Sequence, residues 1–495
     1  MIRNGVHRVP RWVFPLGMGT VLLAAVCMMA NGIQSRSLLL DEALFARNLA
    51  KFPHGYFIPM APSPPLFYFA AHVLVSVFGR SEWVLRLIPL LAAVSGLTLL
   101  AVFLGRSFSR PVALTALAMA ALSVPLVHFA SNAHPYTADF FVSVLLWVLA
   151  EPLLSDRFSL RRWNAWLAVA VLSFVFSFPS YFVTASLGAV LLLRELGTRD
   201  RKTVSVKIAG LTVLACIATL LVFLLFVKQS VNRDLNYWVG YFPAGRGVVP
   251  WLKFAYRGTV HAIGYLFFNG QESPLGLFLM LAGTSAMVAR GYGLEALACW
   301  GPVGCTVAAS FFQKWPYGGV RTVLFLLPFF LIPMAHGLEW VWRSVKGRIA
   351  KAILCGALVL LLVPHAWVLR RVTVPAGDTE EAVKSLSRSV RPLMRDDDTI
   401  LVYYAAEVQF RFYFPERIGQ AVFEDWSDRG NAEALADFVK RHASGCHGRF
   451  WLVFSHLEPG EDTVQIASAE RFGKQSAVYD FPGCRAVLFQ CLNPK

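Results

Sequence analysis

Two adjacent carboxylates, Asp41 and Glu42, open a helix-forming stretch reading Leu-Leu-Leu-Asp-Glu-Ala-Leu-Phe-Ala-Arg-Asn-Leu-Ala from Leu38. Adjacent acids are common on solvated faces and at helix starts, where negative charge suits the helix dipole. These two stand beside apolar sequence and an aromatic, proline-rich segment at 52–65. A carboxylate against a membrane surface can have a raised pKa and serve as a general base. A third acid, Asp139, follows His134 and Tyr136 and lies just inside an apolar run. An ionisable group there is a functional candidate, with a dipole-stabilised helix start as the plainer alternative.

The cations that could answer an anion are arginines. Arg233 and Arg246 stand with Lys228, Lys253 and Arg257 among Trp and Tyr in the loop 228–257. Arg321 ends the run Trp-Pro-Tyr-Gly-Gly-Val-Arg, which begins at Trp315 and contains Tyr317. A guanidinium fork matches phosphate oxygens, although arginines near a membrane more often snorkel to lipid headgroups. The catalytic candidates are therefore Asp41, Glu42 and Asp139, and the substrate-binding candidates His134, Tyr136, Tyr317, Arg321, Arg233 and Arg246. Asp396, Asp397 and Asp398 read as a solvated turn, and His261, His336 and His365 as structural groups near span ends. No Cys/His spacing suits a metal, so a divalent ion is compatible with the chain but not required by it.

These residues can meet only if the elements carrying them share a face. The chain has 495 residues, 56% hydrophobic and 15% charged, with a mean hydropathy of +0.54. Soluble chains are nearer about 45–50% apolar and about 25% charged. Runs of 16 to 22 almost uncharged residues recur between positions 12 and 369, each about long enough for a ~30 Å hydrocarbon layer. The net charge of +16 is uneven: residues 376–495 hold 14 Lys and Arg against 18 Asp and Glu, and the remainder 32 against 12. The positive excess sits in short loops between apolar runs, which is a topology signal. No basic stretch interleaves with exposed aromatics, which excludes nucleic acid as partner.

Arg3, Arg8 and Arg11 keep the N-terminus in the cytoplasm, ahead of a retained anchor at 12–30. The apolar segment 64–79 is short. Reading it as juxtamembrane rather than spanning puts the basic loops 106–110, 156–162, 194–207 and 343–351 all inside. Eleven spans follow, at 12–30, 84–104, 111–130, 137–154, 163–178, 181–193, 206–227, 274–289, 296–312, 322–340 and 352–369. The expected fold is a polytopic α-helical membrane protein with its N-terminus in and its C-terminus out. A transmembrane domain at 1–375, with outer loops 31–83 and 228–273, precedes a small extracytoplasmic α/β domain at 376–495. Helical stretches at 379–394 and 431–442 and strands at 399–404, 450–454 and 485–490 define that domain. Asp41, Glu42, His134, Tyr136 and Asp139 then share the outer face. Cys446 can pair with Cys484 or Cys491. The latter two bracket one strand, whose ends are ~20 Å apart, and do not pair with each other.

Asp-Glu-Ala at 41–43, Pro-Pro-Leu at 64–66, Phe-Gly-Arg-Ser-Glu-Trp-Val-Leu-Arg-Leu-Ile-Pro at 78–89, Ala-His-Pro-Tyr with Asp139, and Tyr-Gly-Gly-Val-Arg at 317–321 together resemble the GT-C superfamily of membrane glycosyltransferases. The nearest likeness is to the bacterial branch that groups protein O-mannosyltransferases with the lipid A aminoarabinose transferase. It is densest over 30–145 and looser to about 340. The resemblance implies an inverting hexosyl- or pentosyltransferase of the bacterial inner membrane, working on its periplasmic side on a cell-envelope glycan or related acceptor. The donor would be a polyprenyl-phosphate sugar and the acceptor a lipid, glycan or protein. It puts Asp41 at or near the catalytic base, Glu42 beside it, Asp139 in the second outer loop, and Tyr317 and Arg321 near the donor phosphate. Pro62 and Ser63 replace the Lys or His that the family often has before the Pro-Pro pair, so that phosphate contact is not expected. The Trp-Trp-Asp motif of oligosaccharyltransferases is absent. A transporter or lipid flippase is the competing class, but those carry paired repeats and mid-bilayer charges, and neither is evident.

Overall fold

A computed structural model describes residues 13–52, 63–155, 159–196, 238–245, 247–373, 381–446 and 448–492. The expected span 206–227 and the candidates Arg233 and Arg246 lie outside them. Contacts divide the chain into two compact units: 1–31, 62–73 and 86–373 in one, and 32–61, 74–85 and 374–495 in the other.

The first unit is helical. Among the described residues, five helices are long and apolar enough to cross a membrane: Phe14–Gln34, Glu82–Ser107, Tyr136–Ser155, Gly293–Phe311 and Arg321–Ser344. Arg110–Ala121 and Val124–Ala130 make a sixth if their 54° bend is one broken crossing. The sequence reads 111–130 as one straight span. The bend arises because Pro125, near the start of the second helix, lacks an N–H and begins a new helix after extended Ser123. Helices also stand at Leu160–Ser173, Ser180–Leu196, Pro274–Ala289 and Arg348–Thr373. The 64–79 segment forms the 14-residue helix Pro65–Phe78. At 1.5 Å per residue that is about 21 Å, short of a ~30 Å core. The chain is a multi-pass membrane protein.

In lipid, apolar surface alone does not drive helices together, and small residues let backbones touch. Gly283 and Gly337 do this where Pro274–Ala289 packs on Leu327–Ser344. A Cβ on Gly283 would lie 1.7 Å from the Pro333 carbonyl oxygen, and one on Gly337 2.5 Å from that of Leu279.

The second unit contains a five-stranded sheet ordered β2-β1-β3-β5-β4. The strands are β1 (Thr399–Val402), β2 (Ala421–Phe423), β3 (Arg449–Ser455), β4 (Gly473–Phe481) and β5 (Cys484–Cys491). β1 runs parallel to β2 and β3, and β5 antiparallel to β3 and β4. Helices Glu407–Tyr413, Ala432–Ala443 and Glu461–Ala469 lie between strands, which makes the α/β alternation. Helix Leu40–Ala50 packs on Glu407–Tyr413. Cys446 pairs with Cys491, their Cα atoms 6.1 Å apart, and Cys484 is buried at the far end of β5.

One expectation fails in this unit. Asp396 and Asp397 are exposed, but Asp398 is buried rather than in a solvated turn. It accepts from Arg449 Nε at 2.9 Å and Nη2 at 2.7 Å, and from Trp451 Nε1 at 2.8 Å. Burial alone would raise its pKa, but these hydrogen bonds outweigh that and hold it below the usual carboxylate range.

Candidate active site

The candidate residues fall in both units. In the second, Asp41 is the second residue of helix Leu40–Ala50 and only partly buried. Glu42 is fully buried, and its Oε2 accepts the Leu39 N–H at 3.1 Å, closing the first turn as a capping acid does. The Leu40 N–H and the backbone just before it meet side chains of residues 381–413. Glu381 Oε2 accepts from the Leu40 N–H at 2.9 Å and from the side-chain amide of Gln409. Gln409 also donates to the Leu38 carbonyl at 2.8 Å and accepts from the Ser455 hydroxyl at the end of β3. The Leu38 N–H donates to Tyr413 Oη at 2.7 Å. Upstream, Lys384 pairs with Glu82 at 2.9 Å and donates to the Gln34 carbonyl at 2.7 Å.

His456, the residue after β3, takes a left-handed backbone with φ of 50° and meets Glu381 Oε1 through Nδ1 at 2.7 Å. That bond raises its pKa above 6.5 against the opposing effect of burial, and the charges of Glu381, Asp41 and Glu458 add to it. Neither His456 nor Glu381 carries a sequence signal, since each gains meaning only from a distant partner: Glu381 from Leu40, 341 residues away, and His456 from Glu381, 75 residues away.

In the first unit, Arg321 begins the Arg321–Ser344 span. A turn positions it: Gly318 has φ of 135°, which other residues adopt only under strain, and the Val320 N–H returns to the Gly318 carbonyl at 2.9 Å. Its guanidinium lies 5.7 Å from the Tyr136 ring centroid and 5.5 Å from that of Trp238. Tyr136 in turn sits 5.4 Å from His134 and 4.9 Å from Phe129, ring to ring. Tyr265 is within electrostatic reach of Arg321, Tyr136 and Tyr241, and the Tyr241 ring lies 5.9 Å from that of Trp238. Of these, Trp238 and Tyr241 were legible only as part of an aromatic-rich loop, and Tyr265 not at all.

Tyr317 is buried, and its hydroxyl shares a 2.8 Å hydrogen bond with Thr259. Its ring lies so close to helix Val248–Phe267 that a Cβ on Gly258 would come within 2.7 Å of it. Asp139 is buried in the first turn of Tyr136–Ser155, beside the Ser177 hydroxyl. Neither its Oδ1 nor Ser177 Oγ has a hydrogen-bond partner among the described residues. His261 bonds Glu272 at 2.7 Å. Among the described residues, no group of three His, Cys, Asp or Glu could hold a metal ion.

Arg321 is thus a cation held against two aromatic rings at the start of a span.

Residues 62–239 match the family model of dolichyl-phosphate-mannose-protein mannosyltransferases. The fold aligns with ArnT from Cupriavidus metallidurans in the apo state over 96% of this chain and 98% of that one, at 14% identity and a TM-score of 0.52. ArnT bound to undecaprenyl phosphate aligns over 97% and 98%, at 13% identity and 0.52. The Archaeoglobus fulgidus oligosaccharyltransferase AglB, in complex with an inhibitory peptide and a dolichol-phosphate, aligns over 95% of this chain and 74% of that one, at 12% identity and 0.52. No curated protein sequence matches the chain. At these identities the likeness is one of fold: the chain shares the architecture of ArnT and AglB along almost its whole length.

Proposed function

We propose that the chain moves a sugar, with inversion, from a polyprenyl-phosphate donor to an acceptor at the outer face of the bacterial inner membrane. The observation that carries this is Arg321 at the mouth of a span, faced by Tyr136 and Trp238. A guanidinium fork matches the oxygens of a phosphate monoester, and undecaprenyl phosphate bound to ArnT and dolichol-phosphate bound to AglB support a lipid phosphate as its ligand.

In this reading the chain has eleven spans, residues 376–495 lie outside, and Asp41 is the general base. It takes the acceptor proton as the acceptor oxygen bonds to the anomeric carbon. The bond from that carbon to phosphate breaks on the opposite side, and its electron pair leaves with the polyprenyl phosphate, whose charge Arg321 stabilises. Asp139, with one carboxylate oxygen unengaged, is suited to accept a sugar hydroxyl. Glu42 serves the base by fixing its helix turn, and Tyr317 serves Arg321 by bracing the turn before it. Arg233 and Arg246 would add positive charge around the leaving phosphate.

The test is release of polyprenyl phosphate by the full chain in vesicles, with polyprenyl-phosphate hexoses and pentoses as donors and lipid, glycan and peptide acceptors. Asp41→Asn should lower turnover by about 10²-fold or more, the scale of a lost general base. A folded variant that keeps full turnover removes Asp41 from the role. Release from no donor rejects the donor class.

A further inference from the structure

The C-terminal ends of parallel strands in an open α/β sheet are where ligands usually bind. In the second unit, the loop after β3 instead meets the first turn of helix Leu40–Ala50. Ser455 ends β3 and hydrogen bonds Gln409, His456 follows it and meets Glu381, and Glu381 and Gln409 both reach the backbone of residues 38–40. Gln409 is fully buried, and the Glu381 side chain is 11% exposed. We infer that Glu381 is a positioning residue for Asp41: one carboxylate joins the Leu40 N–H to Gln409 and His456, so the C-terminal sheet sets the geometry of the reacting acid. The inference rests on the reading of Asp41 as general base.

Each Glu381 oxygen has its own task. Oε2 holds the backbone one residue before Asp41, and Oε1 is steadied by the half-buried His456 ring. Removing the carboxylate leaves the Leu40 N–H, and one of the two hydrogens of the buried Gln409 amide, without its acceptor, a loss that is costly away from water. The turn should then open locally while the sheet stays closed. Lys384 and Tyr413 hold residues 34–38, upstream of the carboxylate, and cannot replace it.

The experiment is hydrogen exchange of the full chain in lipid nanodiscs, paired with the vesicle assay. Glu381→Ala should speed exchange across residues 38–44 by about tenfold or more and leave β1 and β3 unchanged. It should lower kcat by about 10- to 100-fold with the donor KM held within about twofold, as expected for a misplaced catalytic group. Glu381→Gln keeps one acceptor oxygen and should restore most of both. Unchanged exchange at 38–44 in Glu381→Ala overturns the inference, as does unchanged kcat beside loosened exchange. If Glu381→Ala unfolds the sheet, His456→Ala decides: it removes one arm only and should still loosen 38–44, and no loosening overturns the idea. If Asp41→Asn keeps full transfer, the inference falls together with the base assignment. If Asp41→Asn abolishes transfer while Glu381→Ala changes nothing, it falls alone.

Discussion

Glu424 follows β2 and is buried. Desolvation pushes its pKa up to about 7, against the hydrogen bonds it accepts from the Tyr404 N–H and from Gln465, while Asp428 and Glu461 push the same way as burial. Because its native pKa is raised, the fold holds a proton that the unfolded chain releases near 4.5. Glu424's contribution to stability is therefore fully present below that value and is lost as pH rises through about 7. Glu424→Gln should flatten this decline, read as thermal unfolding of the full chain between pH 4 and 8. An unchanged slope would place the titration elsewhere. Single residues were only partly legible. Asp41 and Glu42 stood out because adjacent acids beside apolar sequence are conspicuous. Asp398 was misjudged because Arg449 and Trp451, which claim it, lie 51 and 53 residues further on.

At the scale of elements, legibility followed apolar content. Long apolar helices were visible because composition alone marks them. Both edge strands of the sheet were missed: β2 has three residues, and β4 is largely exposed along its length, so neither shows a buried apolar run. The crossing of Pro274–Ala289 on Leu327–Ser344 was also invisible, since glycine marks close approach only once its neighbour is known. It makes a sharp prediction. Gly283→Val places carbon where the Pro333 carbonyl already stands, and a backbone atom cannot swing aside as a side chain does. The variant should melt several degrees lower or fail to give a monodisperse purified protein. An unchanged melting temperature would mean the helices are free to separate there.

At the scale of the molecule, the charge imbalance was the most informative number, because it divided the chain before any element was assigned. The disulfide was half legible. Strand length forbade Cys484–Cys491, but the choice of partner for Cys446 depended on strand direction. Cys491 lies at the end of β5 where its N–H meets the Gly448 carbonyl, whereas Cys484 stands opposite Ser455 at the other end of β3. The bond closes a sequence separation of 45 residues. Cys491→Ser should cost the C-terminal domain about 2–4 kcal/mol, seen as a lower denaturant midpoint for its signal in the full chain. Reductant should shift the native protein equally and leave the variant unmoved.

The tie between Leu40 and Glu381 spans 341 residues of sequence. A ribosome adding about 5–20 residues per second needs roughly 20–70 s to get from one to the other. For that interval the helix bearing Asp41 has emerged while the support for its first turn does not yet exist. The first turn of that helix gains these supports only once residues 381, 409 and 413 have been made and folded, so a chain interrupted before residue 381 would carry the helix without them.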